Sequence, residues 1–299
     1  MLNTFLHIVQ SHSFFNEVVL HSAEELLRLL PFLFLTYLLM EFIEHRGKEK
    51  TELVMRRAGA AGPLIGGLLG ALPQCAFSAA SASLYSGRVI TLGTLIAVFL
   101  STSDEMLPIL IAGELPPRSI LLIVIYKTVS GIILGFAIDL VRRLTHRAHT
   151  HSHIGELCEE GGCHCERGIF RSALHHTLTV SLFVLAVALL TNSAMFFVGE
   201  EMLAKILPRI PVISHLIAAL IGLLPSCAPS VLLSKLMLSG IISEGAMLSG
   251  LFSGAGVGIL VLLRTNRSRR ENVFILSLLV LLGTLLGGLF DIILPIFSL

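Results

Sequence analysis

Charge is what this sequence has least of. Of its 299 residues, 14% are Asp, Glu, Lys or Arg and 54% are hydrophobic, whereas a soluble domain carries about 25% charged residues. With a mean hydropathy of +0.87, that deficit excludes an ordinary soluble domain. Three uncharged stretches, Thr177 to Gly199, Gly245 to Leu263 and Val273 to Phe290, each approach or exceed the roughly 18 to 20 residues of a membrane-spanning helix. A net charge of +1 favours no polyanionic partner, and no basic run is interleaved with aromatics, so nucleic acid is not an expected partner. The phosphate-cradling pattern GxxxxGK[ST] is missing, so no nucleotide is expected either. Cysteines number five, an odd count that argues against a disulfide framework. No nucleophile stands at a recognisable spacing from a base, so no enzyme is expected. The first twenty residues hold no Lys or Arg and no long apolar core, unlike a secretory signal; residues 1–22 read as an amphipathic or peripheral helix.

What is present repeats itself. "GALPQCAFSAASASLYSG" (70–87) and "GLLPSCAPSVLLSKLMLSG" (222–240) share the motif L-P-x-C-x-x-S. A shift of 152 places Leu72, Pro73, Cys75 and Ser78 on Leu224, Pro225, Cys227 and Ser230, since 72 plus 152 is 224. The same register carries Gly93 to Gly245, Ser101 to Ser253, Gly131 to Gly283, Gly135 to Gly287 and Asp139 to Asp291. Matching Pro, Cys, Gly and Asp without a gap points to two homologous halves, 23–145 and 171–299, joined by a linker over 146–170. Gly62, Gly66 and Gly70, like Gly250, Gly254 and Gly258, are spaced by four, a pattern that lets membrane helices approach closely.

Lys and Arg collect at 45–58, around the linker and at 264–270, and short cytoplasmic loops carry such an excess. If residues 60–86 crossed the membrane once, parity would place the linker outside, against its arginines. A hairpin of two helices of roughly 13 residues, each about 20 Å long, is too short to span a core of about 30 Å and restores parity. The expected fold is therefore an all-α polytopic membrane protein of about ten helices, in two inverted repeats, each with three crossings plus a re-entrant helical hairpin. Inverted repeats with broken helices near the midplane are a recurring transporter design.

Non-helical backbone at membrane depth is tolerated where protein or water satisfies it, so the two tips are candidate binding sites: Gln74, Cys75 and Ser78 on one, Ser226, Cys227 and Ser230 on the other. A Pro-kinked helix with Ser bonded to its own backbone is the bland alternative. The segment "FLSTSDEMLPIL" (99–110) adds Ser101, Ser103, Asp104 and Glu105, where the second half has Gly256 and Val257 opposite the two acids. Intramembrane carboxylates are functional candidates; the competing reading pairs one of them with Lys127. Pro108 suggests that this crossing is unwound too. Glu41, Glu44 and His45 close the first crossing, Asp139 and Asp291 read as pairing or interfacial residues, and His215 reads as structural. Lys235 either neutralises Glu244 or is an internal charge.

The linker "HRAHTHSHIGELCEEGGCHCE" (146–166) supplies His146, His149, His151, His153, Cys158, Cys163, His164 and Cys165. Imidazole and thiolate bind borderline and soft transition metals, so metal capture on the cytoplasmic side is expected of this tract.

The chain resembles the bacterial ten-helix heavy-metal exporters, whose members also carry the labels arsenic efflux protein and manganese transporter. The resemblance rests on "LPFLFLTYLLMEFIEH", "GALPQCAFSAASASLYSGRVITLGTLIAVFLSTSDEMLPIL", "LIGLLPSCAPSVLL", "SGLFSGAGVGILVLLR" and the His/Cys-rich middle, and it covers nearly the whole chain. It implies efflux of a metal or metalloid from a multi-pass protein of the bacterial inner membrane. Ala76 and Ala228 follow the tip cysteines, so neither tip holds the C-x-C pair suited to trivalent arsenic. The leading expectation is a secondary exporter of a divalent transition metal such as manganese, coupled to protons, with no tightly bound cofactor; membrane lipid and the metal ion are its partners, and a homo-oligomer is left open. The alternatives are a permease for arsenite, organoarsenicals or a small oxyanion, and a membrane metal sensor or chaperone centred on the linker.

Overall fold

The computed structural model describes residues 61–72, 76–103, 106–145, 211–225 and 228–297, with scattered helical residues between 19 and 38 and between 170 and 193. The N-terminal residues 1–18 and the linker tract 146–166 lie outside the described residues. Among the described residues the chain is all-α, with no strand. In order the helices are α1 (Ala61–Gly70), α2 (Ala76–Ser86), α3 (Leu92–Ser101), α4 (Met106–Ala112), α5 (Pro117–Thr145), α6 (Pro211–Gly222), α7 (Ala228–Leu238), α8 (Glu244–Ser253), α9 (Val257–Thr265) and α10 (Arg269–Phe297).

The bounds of α2, α3 and α5 become those of α7, α8 and α10 on adding 152: 76 to 228, 92 to 244 and 117 to 269. The contacts recur in the same register. The Thr91 hydroxyl caps α3 by accepting from the Thr94 N–H, and the Ser243 hydroxyl caps α8 by accepting from the Ala246 N–H, each at 3.1 Å. The Gly93 N–H donates to Asp139 Oδ1 at 2.9 Å, and the Gly245 N–H to Asp291 Oδ1 at 2.7 Å. These carboxylates satisfy N–H groups that a helix start leaves without an intrahelical partner and place negative charge at its positive dipole end.

Among the described residues, three apolar segments are long enough to cross a membrane: Pro117–Thr145, Glu244–Thr265 and Arg269–Ile293. The outer pair are 22% and 28% buried, whereas Glu244–Thr265 is 89% buried, so α8 and α9 form an inner crossing wrapped by protein. The outer faces of α5 and α10 are exposed and apolar, with Leu121, Ile125, Ile133 and Leu140 on one and Leu281, Leu285, Leu289 and Ile292 on the other. The spacings of 4, 8 and 7 on α5 and of 4, 4 and 3 on α10 put these residues on one stripe of each helix, an apolar face suited to lipid.

Small residues set the internal packing. Cβ atoms built on Gly62, Gly66 and Gly70 would meet Thr94, Val98 and Ser101 in turn, so α1 runs parallel to α3 and ends level with Ser101. α5 runs antiparallel to α3, with Gly135 against Gly93 and Gly131 against Ala97 and Ser101. The second half repeats both: Gly222 lies against Gly250 and Ser253, and Gly283 against Ser249 and Ser253. The halves interlock, because α2 packs on α9 and α7 packs on α4.

Asp139 also accepts a hydrogen bond from the Thr91 hydroxyl at 2.6 Å and is 7% exposed. Asp139→Ala leaves the α3 cap short of its acceptor and is expected to lower stability by about 1 to 3 kcal/mol. Thermal unfolding in detergent, compared with Asp139→Asn, checks this: the asparagine variant keeps one acceptor oxygen and loses less.

Candidate functional site

Two inner helical segments are broken. α3 ends at Ser101 with Thr102 at φ −55, ψ 127, and α8 ends at Ser253 with Gly254 at φ −81, ψ 97. α9 then starts from Gly256 at φ 50, in the left-handed region that glycine takes at little cost. Its counterpart in the first half is Asp104, since 256 minus 152 is 104.

The C-terminal ends of α1 and α6 sit at the level of these breaks. A Cβ on Gly70, the last residue of α1, would overlap the Ser101 hydroxyl, and one on Gly222, the last residue of α6, would lie 2.7 Å from Ser253 Oγ. Across the halves, a Cβ on Gly258 at the start of α9 would lie 2.8 Å from Ser78 Cβ near the start of α2. The C-termini of α1, α3, α6 and α8 thus approach one level of the protein interior, as do the N-termini of α2 and α9. Exposed carbonyls at C-termini suit cations and N–H groups at N-termini suit anions.

Of the sequence candidates, Ser78 is fully buried on α2 against Gly258. Ser101 is fully buried and its hydroxyl donates to the carbonyls of Ala97 (2.7 Å) and Val98 (3.1 Å) on its own helix. Ser103 is 1% exposed and donates to the Ser101 carbonyl at 3.1 Å. Ser230 is half-buried on α7. Gln74, Cys75, Asp104, Glu105, Ser226 and Cys227 lie outside the described residues, as do His146, His149, His151, His153, Cys158, Cys163, His164 and Cys165. Among the described residues no group of three or more His, Cys, Asp or Glu side chains gathers as a metal site.

Lys127 is fully buried. Its Nζ donates to the Leu251 carbonyl at 2.8 Å and stands 4.9 Å from the centre of the Phe252 ring. Leu251 and Phe252 form the last turn of α8, so a first-half cation meets the negative dipole end of the second half's broken helix. Its counterpart is the fully buried Leu279 (127 plus 152). Tyr126 makes the same crossing, donating to the Leu286 carbonyl at 2.8 Å. His215 Nε2 lies 3.2 Å from Asp291 Oδ2, a structural pairing at the α8 cap. Lys235 is exposed on α7.

Sequence reasoning missed a polar cluster at one end of the bundle. Arg88 Nη1 and Nη2 donate to the two oxygens of Glu271 at 3.0 and 2.8 Å. Arg142 Nη2 is 3.6 Å from Glu271 Oε1, and the Tyr85 hydroxyl donates to the same oxygen. Ser86 and Thr265 hydroxyls are hydrogen-bonded at 2.7 Å, and Asn266 donates to Asn272 Oδ1 at 2.7 Å. The hydrogen bonds to Glu271 hold the Arg88 guanidinium above its ordinary pKa. The available signal was Arg88 itself, the one charged residue in 59–103.

The chain matches the family model described as "Putative, 10TM heavy-metal exporter" over residues 15–160 and 144–264. No curated protein and no solved structure matches it. A chain whose long helices turn apolar faces outward around a buried, broken crossing is a multi-pass membrane protein, and by that match it belongs to the family of ten-helix heavy-metal exporters.

Proposed function

We propose that the protein is a secondary-active exporter of a divalent transition metal, manganese or a related heavy-metal cation, driven by counter-transported protons. The observation that carries this proposal is the approach of the ends of α1 and α6 and of two helix breaks to one interior level, in a frame whose helix bounds and capping contacts recur at an offset of 152. At that level the halves differ in charge: Asp104 and Glu105 occur only in the first, with Gly256 and Val257 opposite them, and Lys127 faces Leu279 in the register. Exposed helix ends of both signs leave the carboxylates to tip the preference toward a cation.

In this proposal Asp104 and Glu105 bind the ion or carry the protons. Gln74, Cys75, Ser78, Ser101 and Ser103 complete one side of the pathway, and Ser226, Cys227 and Ser230 the other. Residues 23–145 and 171–299 are inverted repeats in a bacterial inner membrane. The parallel course of α1 and α3, ending together at the break, supports hairpins that enter and return. Arg88, Arg142 and the arginine-rich start of α10 lie at one bundle end, which supports a cytoplasmic placement of that end.

The His/Cys linker would then face the cytoplasm and gather ions for the pathway. Deleting 146–166 is expected to lower export at micromolar metal by no more than about tenfold, since capture raises only the local concentration. Cellular accumulation of Mn, Zn, Co, Ni and Cd in cells expressing the full and deleted chains measures this. Residual export supports a transporter, whereas complete loss of every metal response makes the protein a linker-centred sensor or chaperone.

A further inference from the structure

The two contacts that interlock the halves occupy opposite ends of the bundle, and their chemistry differs. At one end α2 meets α9 through Ser86 and Thr265, beside the Arg88–Glu271–Arg142 cluster. The shift of 152 turns Ser86 into Leu238, and the reverse shift turns Thr265 into Gly113. At that second contact a Cβ on Gly113 would lie 2.5 Å from Leu238 Cδ1, so a leucine fills the place of the paired hydroxyls. The counterparts of Tyr85, Arg88, Arg142 and Glu271 are Met237, Gly240, Leu294 and Ser119. Of these two contacts, the first is polar with an ionic cluster beside it and the second is a leucine on a glycine.

A left-handed non-glycine residue stands at each end, Arg88 at φ 59 in the ionic cluster and Glu114 at φ 56 beside Gly113. The turn after the second hairpin arm is left-handed in both halves, at φ 73 for Gly240 and φ 59 for Arg88. Glycine takes that conformation freely, whereas a side chain is strained there, and such strain persists where the surrounding structure fixes it. What fixes it here is the bidentate pair with Glu271, whose side chain is only 14% exposed against 35% for Arg88.

We propose that Arg88, Glu271 and Arg142 form a latch that closes the arginine-rich end of the pathway and sets which way the resting protein faces. The assignment rests on the transport reading above. Glu271 starts α10, Arg142 ends α5 and Arg88 ends the first hairpin, so one carboxylate ties three elements from two halves. Opening that end requires the hairpin arm α2 to part from α9, and parting them breaks the bidentate pair. At the opposite end the leucine-on-glycine contact is among those that hold α7 to α4. Loss of the latch therefore shifts the population toward opening at the arginine-rich end.

The test uses the full chain with Cys158, Cys163 and Cys165 changed to Ser, leaving the tip cysteines. A membrane-impermeant methanethiosulfonate cation is applied to right-side-out and inside-out vesicles, and melting temperature is measured in parallel. Glu271→Gln is expected to raise the labelling rate from the arginine-rich face about tenfold, as expected for loss of a partly buried ion pair, and to lower it from the other face. A lowered melting temperature with equal labelling changes on both faces, or with none, overturns the latch and makes the cluster a brace. If Glu271→Gln does not fold, Arg88→Gln decides by the same two rates, and wild-type values on both faces overturn the proposal. A reciprocal change in a protein that moves no metal or metalloid leaves the latch standing and refutes the transport reading instead.

Discussion

Glu105→Gln is expected to abolish gradient-driven metal export, by roughly 100-fold or more in initial rate, which is the upper range for losing even an outer partner of a metal site. Asp104→Asn is expected to do the same. The size of the effect follows from the asymmetry of the centre. The helix ends, Ser78, Ser101 and the close-packed Gly70 and Gly131 have counterparts 152 residues away, whereas the two carboxylates have Gly256 and Val257 in that register. A carboxylate at membrane depth is expensive and is retained for an ion or a proton. The isosteric amide keeps shape and removes charge, so the variant is expected to elute as a monodisperse protein with an unchanged melting temperature. Flux measured with and without a pH gradient separates the roles. A variant that binds metal but no longer responds to the gradient has lost its proton carrier, and one that no longer binds metal has lost a ligand. Wild-type flux and gradient response would remove both carboxylates from the mechanism.

Gly93→Ala and Gly245→Ala are expected to cost more stability than the roughly 1 to 3 kcal/mol typical of overpacking, because the obstacle is backbone. A Cβ on Gly93 would overlap the Gly135 carbonyl oxygen and lie 2.6 Å from Asp139 Oδ1; one on Gly245 would overlap the Gly287 carbonyl and the Asp291 carboxylate. Neither can be relieved by a rotamer change, so α3 must separate from α5, or α8 from α10, and the capping carboxylate leaves its N–H. Gly288 is the control, since a Cβ there meets nothing within 4 Å, and Gly288→Ala is expected to fall within about 0.5 kcal/mol of the parent. Melting in detergent and the monodisperse fraction on size exclusion measure all three. Equal melting temperatures for Gly93→Ala and Gly288→Ala would show that the α3–α5 approach is looser than described.

The duplicated sequence made much of this fold legible. Pro, Cys, Gly and Asp matched at one offset, and the helix bounds of α2, α3 and α5 return at that same offset. The fourfold glycine spacing marked the close faces, and Pro108 with the polar run before it marked a break between α3 and α4. Partners across the halves were not legible, because periodicity reveals which face a residue occupies and not what lies opposite. Lys127 reaches the Leu251 carbonyl and the Phe252 ring of the other half, partners that its own segment does not announce. The hydroxyl of Ser101 donates to carbonyls on its own helix, the local bonding that serine adopts inside helices, and periodicity does not announce that orientation. Arg88 and Glu271 are 183 residues apart, and nothing in their local patterns announces the pair.

The account turns on whether a divalent metal crosses the membrane at the expense of a proton gradient. Uptake into inverted membrane vesicles expressing the chain, with Mn, Zn, Co, Ni, Cd and arsenite in parallel and the pH gradient imposed or collapsed, tests that claim most directly. Accumulation of a divalent ion that stops when the gradient is collapsed is the predicted result. Accumulation of arsenite alone, unaffected by Glu105→Gln, would contradict it and move the chemistry to Cys75 and Cys227.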